Sequence, residues 1–284
     1  MQRYKILHRT YYNFPTTVQL EQHILRLRPR VGHELRIESS SLTIEPAATL
    51  RWQRDVEDNS VAIATFRVFA SQLLIESEVI IQHFDVAPLD FLVADYAIDY
   101  PFVYTAEDQV VLAPYLQVAG NSKEQAITSW VASIWEPGER LQTFELLQRL
   151  TSKIHHNFAY QSREAPGVQT PLDTLTKKTG SCRDFACLFM ATARSLGLAS
   201  RFVSGYLNTL GAAVDYGATH AWAEIYLPGV GWKGFDPTVG DIVGTNHIAV
   251  AVARLPESVP PIEGSYLGPP GASLDVGVWV TELA

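Results

Sequence analysis

The apolar residues of this chain change their spacing after about the first hundred residues, and that change limits the fold more than any other feature. Over roughly the first hundred residues they fall in short runs rich in aromatic and β-branched types. "YKILHRTYYNF" (residues 4–14) is one such run. "RIESSSLTIEP" (36–46) sets Ile37, Leu42 and Ile44 among polar residues, and "SVAIATFRVF" (60–69) and "LLIESEVIIQHF" (73–84) read the same way. Turn signals separate them at Pro29 to Gly32, at Pro46 and at Asp55 to Asn59. Short strands at this spacing predict an antiparallel β-sandwich-like or barrel-like domain.

Beyond "DYPFVYTAEDQVVLAPYLQ" (99–117) the spacing becomes helical. In "NSKEQAITSWVASIW" Ile127, Trp130, Val131 and Ile134 share one face, with Asn121 or Ser122 as the expected cap. In "ERLQTFELLQRLTSKIHHNF" Leu141, Phe144, Leu147 and Leu150 do so. A third helix is expected in "TGSCRDFACLFMATARSLG" from Phe185, Leu188, Phe189, Ala193 and Leu196, stopped by Gly197. The strand-like runs "RFVSGYL", "HAWAEIYL" and "GWKGFD" follow. The fold class is therefore α+β. The expected divisions are a β-rich N-terminal domain over 1–112, a second domain over 113–255, and a tail over 256–284. That tail is a Pro/Gly-rich surface loop and a last strand, "LDVGVWVTEL".

Composition narrows the function. A net charge of -8 with no basic run disfavours nucleic acid, which needs clustered Lys and Arg. No Gly-rich nucleotide fingerprint and no ligand cluster is visible, so neither cofactor nor metal is expected. The N-terminus "MQRYKILHRTYYNF" lacks the apolar core of a secretory signal, and apolar runs stay well short of the ~18 residues of a membrane span. The expected location is the cytoplasm, with no membrane span. Two cysteines are too few for a disulfide framework, and their spacing is not a zinc pattern. A chemical role for one thiol is the remaining reading.

Cys182 follows Gly180 and Ser181 into the first turn of the third helix. Unpaired N–H groups and the positive end of the helix dipole favour a thiolate there and can receive an oxyanion. Gly180 is expected to leave room for a substrate's approach. Cys187 falls inside the helix on another face and reads as a small hydrophobe. Asp184 reads as a cap or a partner of Arg183, without a catalytic role.

The base is sought in "GATHAWAEIYLPGVGWKGFDPTVG" (217–240), a hairpin by its alternation and its "PGVG" turn. His220, Trp222, Glu224 and Tyr226 share one face. A turn centred on Pro228 sets His220 directly across from Asp236. A loop of Pro228 to Gly231 moves the register and puts Asp236 on the wrong face, unless a bulge at Gly234 corrects it. Both registers remain open. If the two side chains meet, Asp236 orients His220, and His220 takes the proton of Cys182. His8, His23, His33, His83, His155 and His156 read as surface or satisfied core residues. His247 has no partner by pattern.

Gly180-Ser181-Cys182-Arg183-Asp184, Thr219-His220-Ala221-Trp222 and Gly234-Phe235-Asp236-Pro237-Thr238 resemble, in that order, the three motif blocks of the transglutaminase-like superfamily. "HRTYYNF" and "LRLRPR" are similar to the β domain of its bacterial members. The resemblance implies a papain-like α+β catalytic core. Its catalytic residues would be Cys182 as nucleophile, His220 as base and then acid, and Asp236 as orienter. It implies a thiol-dependent amide hydrolase or acyltransferase, a peptidase, amidase or protein transglutaminase. Such an enzyme works through a thioester on a peptide or protein substrate, with an amine as acceptor if it transfers. A catalytically silent binding or scaffold module of the same fold is the alternative.

Overall fold

The computed structural model describes residues 1–84, 89–118, 125–163, 167–208 and 219–283. The chain opens with five strands: β1 (Gln2–Leu25), β2 (Leu35–Glu45), β3 (Thr49–Arg54), β4 (Ser60–Thr65) and β5 (Phe69–His83). β1 is long because its alternation persists. Tyr4, Ile6, His8 and Thr10 point inward, and Phe14, Val18 and Leu20 take over beyond an irregularity between Asn13 and Val18. β5 answers with Leu73, Ile75, Ser77, Val79 and Ile81 on the same buried face. The strands run in the order β2-β5-β1-β4-β3 as a curled antiparallel sheet.

The middle of the chain is short elements and helices. β6 (Asp99–Tyr100) pairs with β7 (Leu141–Gln142), and β8 (Ala159–Tyr160) pairs in parallel with β9 (Thr179–Gly180). The helices are α1 (Ala106–Leu116), α2 (Gln125–Ala132), α3 (Thr143–Asn157), α4 (Pro171–Lys177) and α5 (Cys182–Ser195). The expected caps Asn121 and Ser122 lie outside the described residues. α5 stops at Gly197, whose φ of +76° is one that glycine adopts without strain; the Leu198 N–H turns back to the Ala193 carbonyl at 2.9 Å.

Five more strands, β10 (Ser200–Leu207), β11 (His220–Leu227), β12 (Gly231–Asp236), β13 (Asp241–Ile242) and β14 (His247–Ala253), form a second antiparallel sheet. α3 and α5 cover one of its faces. Leu146, Leu147, Leu150 and Ile154 of α3 meet Phe185, Leu188 and Phe189 of α5 over Ala221, Ala223, Ile225 and Phe235. Each fully buried Leu or Phe here contributes about 1.5–3 kcal/mol.

The tail differs from the expected loop. β15 (Ile262–Leu267) lies inside the Pro/Gly-rich stretch, and β16 (Ser273–Glu282) follows; both pair with β1. The chain's end thus closes the sheet that its beginning started. The backbone groups of Ile262–Leu267 find ladder partners on β1 that no local pattern announces.

The two sheets pack directly. Tyr4, Ile6, Val79 and Ile81 of the first meet Tyr206, Ile248 and Val250 of the second. Asn59 binds the outer edge of β14, donating to the Val252 carbonyl and accepting from its N–H, both at 2.8 Å. It satisfies groups that an edge strand otherwise leaves open.

Candidate active site

Cys182 is the first residue of α5 and is buried. What holds that helix start is Asp184, which is fully buried. Its Oδ2 accepts from the Ser181 N–H at 2.8 Å and the Ser181 hydroxyl at 2.9 Å; its Oδ1 accepts from Arg163 at 2.7 Å and the Gln169 N–H at 2.7 Å. Burial alone would raise its carboxyl, and these donors hold it below the usual carboxylate range. The ion-pair partner is therefore Arg163, not Arg183, whose guanidinium donates to the Arg163 carbonyl at 2.9 Å. Gly180 also serves another purpose than expected. A Cβ there would meet the Asp184 Cβ at 2.9 Å and Phe185 Cε1 at 3.2 Å, so the glycine admits the packing beneath the helix start.

The hairpin of β11 and β12 takes a third register. Leu227 pairs with Gly231 and Ala223 with Phe235, without a bulge, around a turn of Pro228 to Val230. Continued by one residue, this register sets Asp236 across from Trp222, so His220 lies diagonal to Asp236 on the same face. The diagonal is bridged: His220 Nε2 donates to Asp236 Oδ2 at 2.6 Å. Cys182 is near enough to His220 for its thiol to help raise the imidazole. Since Asp236 takes the Nε2 proton, Nδ1 is the nitrogen left for the thiol.

Asp236 is fully buried and fully partnered. Oδ1 accepts from the Thr238 N–H at 2.8 Å and the Val239 N–H at 3.2 Å, and Pro237 ends the strand between them. Oδ2 also accepts from His247 Nε2 at 3.0 Å. Burial would raise the carboxyl; the His220 charge and the hydrogen bonds of both histidines hold it far below the usual range. Burial would likewise lower His220. Asp236, by charge and hydrogen bond, and then Cys182 overturn that and raise it to about 10.

His247 was without a partner in the sequence reading. It opens β14, and only the pairing of β14 with β10 brings it to Asp236. His220, Asp236 and His247 offer ligand atoms within 4.8 Å of one another. Their N–O separations of 2.6 and 3.0 Å are hydrogen-bond lengths; two ligands of a tetrahedral zinc ion stand about 3.4 Å apart. The cluster as it stands is a proton network.

Other histidines come close to the expected bland roles. His8 is buried against the Tyr206 hydroxyl at 3.0 Å and Thr10 at 3.1 Å, and burial lowers it to about 4. His83 and His155 do more: His83 donates to the His247 carbonyl at 3.2 Å, and His155 to the Thr238 carbonyl at 2.9 Å. Cys187 is half-buried, and burial pushes its thiol up; both cysteines are free. Trp222 lies over Gly205, where a Cβ would come within 2.6 Å of its ring.

A thiol opening a core helix beside a sheet that carries His and Asp is the fold of transglutaminase-like cysteine proteases. Residues 122–237 match the family model of the transglutaminase-like superfamily, and residues 4–82 that of the bacterial transglutaminase-like N-terminal region. The two matches cover most of the chain, which belongs to the transglutaminase-like superfamily. An uncharacterized protein of Mycobacterium tuberculosis is 29% identical over 97% of this chain and 91% of its own. One of Mycobacterium leprae is 26% identical over 100% of both. A solved structure from Cytophaga hutchinsonii, described as a candidate cysteine protease, is 18% identical and superposes with a TM-score of 0.72 over 100% of this chain and 91% of that one. Among the described residues, no helix is long and apolar enough to cross a membrane.

Proposed function

We propose that the protein is a thiol-dependent amide hydrolase or acyltransferase acting on a peptide or protein. The observation that carries this reading is the buried His220–Asp236 hydrogen bond beside the Cys182 thiol that opens α5. Cys182 gives its proton to His220 and attacks a carboxamide or peptide carbonyl. The carbonyl π electrons move to oxygen, and the N–H groups of the first turn of α5 receive the oxyanion. Collapse of the tetrahedral species expels ammonia or an amine, which takes the proton back from His220 and leaves a thioester. Water, deprotonated by His220, then releases the acid; an amine in its place gives transfer. Asp236 keeps the His220 tautomer and supports its charge at both steps.

The test is turnover of a glutamine-containing protein such as casein, read as ammonia release and as incorporation of a fluorescent primary amine. Cys182→Ala is expected to abolish turnover and Cys187→Ala to keep it. Equal turnover in both variants would overturn the assignment of Cys182; no turnover by the native protein would favour a binding or scaffold module.

A further inference from the structure

Asp236 serves two histidines, and only His220 has a place in the chemistry above. We propose that His247 is a positioning residue, which fixes the Asp236 carboxylate and is itself fixed by the N-terminal sheet. This inference rests on the triad reading.

The geometry supports each link. Asp236 Oδ2 has two lone pairs, and the N–H groups of His220 and His247 occupy both. With Oδ1 pinned by two backbone N–H groups, the carboxylate cannot rotate without losing hydrogen bonds in a buried place. His247 Nδ1 accepts from the Gly244 N–H at 3.4 Å, so the ring proton sits on Nε2, the atom that faces Asp236. The His247 N–H donates to the Gly244 carbonyl at 2.9 Å. Its carbonyl accepts from His83 of β5, which ties it to the N-terminal sheet.

A ring N–H donor suits this position. The His220 and His247 ring centroids are 6.2 Å apart. A lysine or arginine placed here would support Asp236 but repel the imidazolium that His220 must form. The His247 ring holds the carboxylate through one hydrogen bond of 3.0 Å and leaves the other lone pair of Oδ2 to His220. The titratable neighbours of His247 are His220, Asp236 and His83, together with Arg30, His33, Glu34, Arg201 and Glu224 around a cavity of about 270 Å³ between the two sheets. Arg201 and Glu224 neutralise each other at 2.6 Å.

The experiment is the rate of Cys182 alkylation by iodoacetamide against pH, read by mass spectrometry with Cys187 as the internal reference. The full chain, His247→Leu and His247→Gln are compared, with thermal midpoints in parallel. Glutamine keeps an N–H donor at similar reach; leucine does not. His247→Leu is expected to slow alkylation at pH 6 by about tenfold, as loss of one charge-assisted hydrogen bond predicts, and His247→Gln to restore it to within about twofold. A leucine variant that folds and keeps the native profile overturns the inference. Should it fail to fold, the ¹⁵N imidazole spectrum of the native protein decides, with His247→Gln for assignment: a His247 protonated on Nδ1 overturns the inference, and one protonated on Nε2 that responds to Asp236→Asn sustains it. An ordinary thiol at Cys182 in the native protein would instead defeat the triad reading, and the same spectrum would still report the His247–Asp236 contact.

Discussion

His220 and Asp236 meet on a diagonal of their hairpin, with Nε2 and Oδ2 2.6 Å apart and both side chains buried. A direct cross-strand pair would leave little space between the strands for a third side chain. The diagonal lets the carboxylate reach His220 on one side and His247 on the other.

Asp236→Asn removes the charge that raises His220 and leaves the burial that lowers it. The imidazolium then loses its support at neutral pH. Turnover is expected to fall by roughly 10²- to 10⁴-fold, the range of losing a base and its orienter. Steady-state kinetics on the casein assay check this; a loss below about threefold would remove Asp236 from the mechanism.

The same pair sets a pH window for stability. Asp236 is depressed in the folded protein, so its contribution is present above the unfolded value of about 3.9 and is lost as pH falls from there. His220 is raised, so its contribution is full below about 6.5 and is lost as pH rises toward its folded value of about 10. The gap in melting temperature between native protein and Asp236→Asn should be widest between about pH 4 and 6.5. Calorimetry across pH 3 to 10 reads it. A gap that grows above pH 7 would contradict the pairing.

Asp184→Ala strips the start of α5 of the acceptor for Ser181, Gln169 and Arg163, and leaves Arg163 without its partner. Breaking one side of a buried ion pair costs about 3–5 kcal/mol. Urea denaturation should show a loss of that order, against less than about 1 kcal/mol for the half-buried Cys187→Ala.

Gly205→Ala introduces a Cβ that collides with the Ile248 carbonyl and comes within 2.6 Å of the Trp222 ring. Backbone and indole must both shift, at a cost of about 1–3 kcal/mol or more. Since Trp222 packs edge-on to His247 at 5.3 Å, the variant should also slow Cys182 alkylation. A stable variant with a native alkylation rate would show that this packing does not reach the site.

Much of this was legible beforehand. The α3 and α5 faces follow from helical spacing, because a helix can bury only one stripe. The place of Cys182 follows from the Gly-Ser pair before it, and His220 and Asp236 from the three motif blocks. α1 was not expected: its Val110 and Val111 are exposed and Pro114 lies within it, so no amphipathic pattern marks it. β15 was hidden by the prolines that flank it, Pro260 and Pro261 before and Pro269 and Pro270 after.

By itself the sequence determined which faces α3, α5 and the strands of regular alternation would bury, and it carried the three blocks that hold the thiol, the imidazole and the carboxylate. These are local properties, written in spacing along the chain. Only the tertiary structure decided the hairpin register, the pairing of Asp184 with Arg163, the return of β15 and β16 to β1, and the approach of His247 to Asp236. Each of these joins residues whose partner depends on how the rest of the chain closes. A buried donor or acceptor must be satisfied, but the sequence does not say by whom.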